Sequence, residues 1–100
     1  MLDELYAHSG SELIKGLGTR YAQYRKRLGY TQKEVAHQSG LSIFTISSFE
    51  NGSSTGITLA AFIKLLRAIQ FLEEIEKLLP PLPVSPKEMY LKMQKKTRKK

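Results

Sequence analysis

The stretch TQKEVAHQSGLSIFTISSFENG, Thr31–Gly52, restricts the fold more than any other part of the chain. Thr31 followed three residues later by Glu34 is a capping box, in which hydroxyl and carboxylate satisfy each other's free amides at a helix start. Ser39-Gly40 ends that helix, Ser42 caps a second, and Asn51-Gly52 ends the second. With so short a link, the two helices must cross steeply. Val35, Ala36, Gly40, Leu41, Ile46 and Phe49 then face inward. Ala36 is small enough for close helix approach, and Gly40 supplies the positive φ of the turn. Outward stand Ser42, Ile43, Phe44, Thr45, Ser47 and Ser48. That set has no Lys or Arg and puts two large apolar side chains together on what should be a polar surface.

The remaining sequence reads as further helices. Apolar and polar residues nowhere alternate over four to eight positions, so strands are not indicated. Ser9 with Glu12 and Ser85 with Glu88 are two more capping boxes, the latter strengthened by Pro86 at the first helical position. Ser47 with Glu50 has the same spacing but lies within a helical pattern. Leu13, Leu17, Tyr21, Tyr24 and Leu28 mark a helix over about Ser11 to Leu28, weakened in its first half by Gly16 and Gly18. A helix from Thr58 carries Leu59, Phe62, Ile63 and Leu66 on one face. Another buries Leu72, Ile75, Leu78 and Leu79. Gln70 stands where a glycine stop would be convenient, so these last two helices are either separate or continuous. PPLPVSP then breaks the pattern, and a short helix from Pro86 toward Gln94 precedes a basic end. The boundaries expected are an N-terminal extension over 1–10, a helical domain over 11–79, and a Pro-rich linker with basic tail over 80–100.

Composition narrows the function. The chain has 100 residues and no cysteine, which excludes disulfides, thiolate nucleophiles and Cys-based metal sites. No apolar run approaches the roughly 20 residues needed to span a bilayer. The opening MLDELYAHSG is acidic and lacks a signal-peptide layout, so no membrane association and a cytoplasmic, nucleoid-associated location are expected. Net charge is +7, and six positive charges lie after Tyr90 (Lys92, Lys95, Lys96, Arg98, Lys99, Lys100) with no acid among them. A second cluster, Arg20, Arg25, Lys26 and Arg27, precedes the capped pair. Such asymmetry points to a polyanionic partner.

Catalysis has little to work with. His8 and His37 are isolated, and Asp3 is the only Asp. No catalytic triad, metal site or cofactor is expected, and the chain does not read as an enzyme. Gly16-Leu17-Gly18 follows no strand and is not a phosphate-binding fingerprint. Glu73, Glu74 and Glu76 read as a solvated face.

Two capped helices crossing through a glycine turn have the layout of a helix-turn-helix, whose second helix enters the DNA major groove. RKRLGYTQKEVAHQSGLSIFTISSFENG resembles the corresponding core of the Cro/C1-type (Xre-like, lambda-repressor-like) domains, with the T-Q-x-E-V-A start, S-G-L-S turn, T-I-S helix and E-N-G end in order. The resemblance covers about Leu17 to Leu79. It implies an all-α fold, a compact five-helix lambda-repressor-like bundle with its helix-turn-helix over 32–51, that binds double-stranded DNA as a homodimer on palindromic operators. By resemblance, Gln32 contacts phosphate, Ile43, Phe44, Ser47 and Ser48 face bases, Thr45 and Asn51 lie near the backbone, and Arg25 pairs with Glu50 in a structural salt bridge.

The chain departs from the family pattern in the groove-facing set, where Gln, Arg or Lys often stand in place of Ile43, Phe44 and Ser48. None of these can form the bidentate Arg–guanine or Gln–adenine pair. Either Ile43 and Phe44 touch thymine methyls, with sequence choice leaning on DNA shape, or they fold against the protein or a partner. Affinity is expected from helix N-termini and the residues around them, Thr31, Gln32, Lys33, Ser42, Thr45 and Asn51. The helix through Leu72, Ile75, Leu78 and Leu79 and the segment through Val84 are the expected dimer contacts. The function expected is a sequence-preferring transcriptional regulator, a dimeric repressor and autoregulator. The alternative is a DNA-binding antitoxin whose main partner is a HipA-type kinase toxin, a protein partner docked by the Pro-rich segment and basic tail.

Overall fold

Hydroxyl caps set the helix boundaries. Ser9 Oγ accepts from Glu12 N at 3.1 Å while Glu12 accepts from Ser9 N at 2.8 Å. Thr31 and Glu34 repeat the exchange at 3.0 and 2.8 Å. Ser42 and Thr58 cap without a carboxylate partner, accepting from Thr45 N and Ala61 N. The computed structural model describes residues 2–83, 85–87 and 90–93. Its helices are α1 (Leu2–Ala7), α2 (Gly10–Arg27), α3 (Gln32–Ser39), α4 (Ile43–Asn51), α5 (Leu59–Ala68) and α6 (Glu74–Leu78). Residues 86–87 and 90–93 are also helical, and no strand occurs among the described residues. The fold is therefore all-helical: α2 to α6 span Gly10–Leu78, further helix lies beyond α6, and the N-terminal extension, for which no helix is expected from the sequence, forms α1. Val84, Glu88, Gln94 and the cations from Lys95 onward lie outside the described residues.

The core gathers Tyr21 of α2, Val35 of α3, Ile46 and Phe49 of α4, Phe62, Leu65, Leu66 and Ala68 of α5, and Ile69 after it. Phe49 sits at its centre, with ring centroids 6.0 Å from both Tyr21 and Phe62. Burying side chains of this size stabilises the fold by about 1.5–3 kcal/mol each before entropy is counted. The Tyr21 hydroxyl donates to the Leu65 carbonyl at 2.8 Å. That carbonyl needs an outside partner, because the Ile69 amide at the end of α5 turns to Leu66 and Arg67 instead.

The expected faces shift in three places. On α2 the buried line is Gly18, Tyr21 and Arg25, and Leu13, Tyr24 and Leu28 are exposed. The cause is Gly18. A Cβ there would overlap the Phe49 carbonyl oxygen and lie 2.9 Å from the carbonyl carbon, so α4 rests on α2 at a point with no side chain. On α5 the inward residues are Phe62, Leu65, Leu66 and Ala68, leaving Leu59 exposed. After α5 the chain breaks at Gln70, which takes a left-handed φ of +67°. Phe71 and Ile75 then pack on the core, whereas Leu72 is only half-buried and Leu78 and Leu79 are exposed. Ile75, Leu78 and Leu79 follow one helical spacing, but only Ile75 reaches the core.

Candidate nucleic-acid interface

α3 and α4 meet at the glycine turn. Gly40 adopts φ +78°, and its amide donates to Ala36 O at 2.9 Å. The Leu41 amide donates to Ser39 Oγ at 3.1 Å, and Ser42 then opens α4. Side chains advance about 100° per residue along a helix. With Ile46, Phe49 and Glu50 buried, the opposite side of α4 carries Phe44, Ser48 and Asn51, with Ser47 and the exposed Ile43 to one flank.

Exposure tests the outward set. Ile43 is 46% exposed and Phe44 79%, so both project from the domain rather than folding onto it. Ser42 and Asn51 are exposed, and Thr45 and Ser47 half-buried. Ser48 is corrected: at 7% exposure it is buried. It lies on the side away from the core by helical spacing, and the Ser54 amide donates to the Ser48 carbonyl at 3.2 Å, which brings the following loop close.

Several polar groups around the ridge are already bonded. Ser42 Oγ accepts from Thr45 N at 3.0 Å and lies 2.9 Å from Thr45 Oγ1. Asn51 Oδ1 accepts from Ser53 N at 2.8 Å. Gln32 is half-buried, and its amide donates to Glu50 Oε1 at 3.0 Å. Lys33 is exposed at the start of α3.

Beneath the ridge lies a buried ion pair. Arg25 Nε donates to Glu50 Oε2 at 2.7 Å and Nη2 to Oε1 at 2.8 Å, with the side chains 7% and 6% exposed. Nη1 donates to the Tyr30 carbonyl at 2.8 Å. The hydrogen bond to Glu50 holds the guanidinium above its ordinary pKa, against the opposing effect of burial. One cluster thus joins α2, the entry to α3 and the far end of α4. Burying two charges costs several kcal/mol, and only such complete bonding offsets it. The arrangement fixes the angle at which α4 leaves the scaffold.

Two features lie beyond the sequence pattern. Gly18 is no part of a phosphate loop, yet it decides how closely α4 approaches; its signal is a glycine inside an otherwise strong helical pattern, which marks a packing constraint. Lys15 carries no signal of its own in the sequence, and its side chain lies over Gly52 at the end of α4. No group of three His, Asp or Glu residues able to hold a metal ion exists among the described residues, and no described helix is long and apolar enough to cross a membrane.

No curated protein and no solved structure matches the chain. A family model described as helix-turn-helix matches residues 22–79, from within α2 through α6. The match spans more than half of the sequence and contains the turn, the ridge and the Arg25–Glu50 pair. The chain accordingly belongs to the Cro/C1-type helix-turn-helix family of DNA-binding transcriptional regulators.

Proposed function

We propose that this protein is a sequence-preferring binder of double-stranded DNA that acts as a homodimeric repressor and autoregulator. The observation carrying this reading is the outward face of α4, where Ile43 and Phe44 stand exposed on a helix held from beneath by a bonded ion pair. A large apolar side chain left 79% exposed on so well anchored an element is stabilised when a partner covers it. A major groove is wide enough to admit the helix that carries it. Ile43, Phe44 and Ser47 are the proposed base-facing residues. Ser42, Thr45, Lys33 and Asn51 are placed near the strands at either end, and Gln32 acts through Glu50 as well as toward phosphate. The net charge of +7 supplies the sequence-independent attraction.

A second copy is the proposed cover for the exposed Leu78, Leu79 and Leu82. Two recognition helices would then sit about 34 Å apart and meet successive major grooves. The same leucines also favour a second reading, a DNA-binding antitoxin that docks a HipA-type kinase toxin there. Selection of bound duplexes from a random pool by the full chain tests the proposal. The expected result is an inverted repeat with half-sites about one helical turn apart, bound with a steep salt dependence. An unstructured pool, or affinity nearly independent of salt, refutes it.

A further inference from the structure

The exposed face of α4 has a chemical one-sidedness that bears on which bases it tells apart, given the DNA-binding reading above. Thymine and 5-methylcytosine carry the same methyl group at C5 in the major groove. They differ at C4, where thymine presents an oxygen acceptor and cytosine an amino donor. A side chain that separates them must hydrogen-bond at that edge. On this ridge such groups are mostly committed elsewhere. Ser42 Oγ and Thr45 Oγ1 are bonded to the cap and to each other. Asn51 Oδ1 is taken by Ser53 N, so that only its Nδ2 donor stays free at the far end of α4; Gln32 Nε2 donates to Glu50, and Ser48 is buried. Ser47 retains an unengaged hydroxyl, which donates or accepts and so fits either edge. The large side chains exposed on α4 are hydrocarbon, Ile43 and Phe44.

We infer that α4 discriminates base pairs chiefly by the pyrimidine C5-methyl group, and therefore accepts 5-methylcytosine·guanine where it accepts thymine·adenine. Cytosine methylation of DNA is then a signal to which this chain responds. Covering one methyl group is worth roughly fourfold in affinity. With Ile43 and Phe44 each covering one, removing both methyls weakens a half-site by roughly fifteenfold.

The test uses random duplex pools amplified with thymidine or deoxyuridine, and with cytidine or 5-methylcytidine deoxynucleotides, each presented to the full chain. The thymine pool enriches a motif. The uracil pool with plain cytosine binds about tenfold or more weakly and loses that motif. Adding 5-methylcytosine to the uracil pool restores affinity to within about threefold, and the recovered motif carries cytosine at the former thymine positions. Equal binding of the uracil and thymine pools overturns the inference. So does a uracil penalty that 5-methylcytosine fails to relieve, since the C4 edge is then being read. Failure of the thymine pool itself to enrich anything refutes the DNA-binding reading along with it. An Ile43→Ala/Phe44→Ala chain, shown folded by circular dichroism, loses the thymine-over-uracil preference; if the preference persists, other residues carry it.

Discussion

Alanine at Gly16 and at Gly18 makes the same chemical change two residues apart on one helix, and the structure gives the two opposite signs. Intrinsic propensity favours alanine over glycine in a helix interior by about 0.8–1.0 kcal/mol. At Gly16 the added Cβ meets only the tip of the Arg20 side chain, at 3.5 Å, an ordinary contact. Nearly the whole gain should appear, raising Tm by roughly 3–6 °C for a domain of this size. At Gly18 the same methyl overlaps the Phe49 carbonyl, and Glu50 Cα is 3.4 Å away. These are backbone atoms, so relief requires α4 to move off α2. Overpacking of this kind costs about 1–3 kcal/mol or more, and the shift also strains the Arg25–Glu50 bonds. A clash with backbone falls at the upper end of that range, about 2–3 kcal/mol, so after the propensity gain is subtracted Gly18→Ala should lower stability by about 1–2 kcal/mol and Tm by roughly 4–16 °C. Thermal melts followed by circular dichroism at one fixed protein concentration provide the assay. Equal stabilisation by both substitutions would show that α2 and α4 do not touch at Gly18, and the placement of the recognition ridge would fall with it.

Further expectations follow from the buried pair, the left-handed residue, the ridge and the core tyrosine. Glu50→Gln should cost about 3–5 kcal/mol in urea unfolding, because Arg25 stays buried without its counter-charge; the double change Arg25→Met/Glu50→Leu should cost less than either single, and additive losses would contradict the coupling. Gln70→Gly should stabilise by about 0.5–1 kcal/mol, since the left-handed conformation costs an L-residue about 1–2 kcal/mol and glycine's extra unfolded-state freedom offsets part of that; a lower Tm would count against it. Phe44→Ala should change unfolding free energy by no more than about 0.5 kcal/mol, yet weaken binding to a selected duplex about tenfold. Burial, with a smaller push from Glu50, raises the Tyr21 pKa. The folded chain therefore keeps a proton that the unfolded chain releases near pH 10. Stability is unaffected below that pH and falls above it by up to about 1.4 kcal/mol per pH unit. Tyr21→Phe should remove this slope, and an unchanged alkaline slope in urea midpoints would show that Tyr21 is not its source.

Much of this could be read from the chain because the signals are local. Thr31 with Glu34, Ser42, Asn51-Gly52 and Thr58 act within one helical turn, so caps and stops could be placed residue by residue. Gly40 was legible for the same reason, as only its own φ was at stake. The glycine-turn spacing carried the helix-turn-helix, and the helical period of α4 carried Ile46 and Phe49 inward and Phe44 outward. Ser48 escaped that reasoning because its burial depends on a loop folding back to its carbonyl, which no periodicity encodes.

Sequence alone determined where the hydroxyl-capped helices α2 to α5 begin, since capping joins residues three or four apart; it left α1 unread and the break before α6 open. Tertiary structure alone decided which sides of those helices meet. Gly18 turned α2 onto a line through Tyr21 and Arg25, Glu50 made a buried cation at Arg25 tolerable, and Leu78 and Leu79 stayed exposed although they continue the spacing of Ile75. Each of these outcomes depends on atoms distant in sequence arriving within van der Waals or hydrogen-bond reach, a condition that local pattern cannot express.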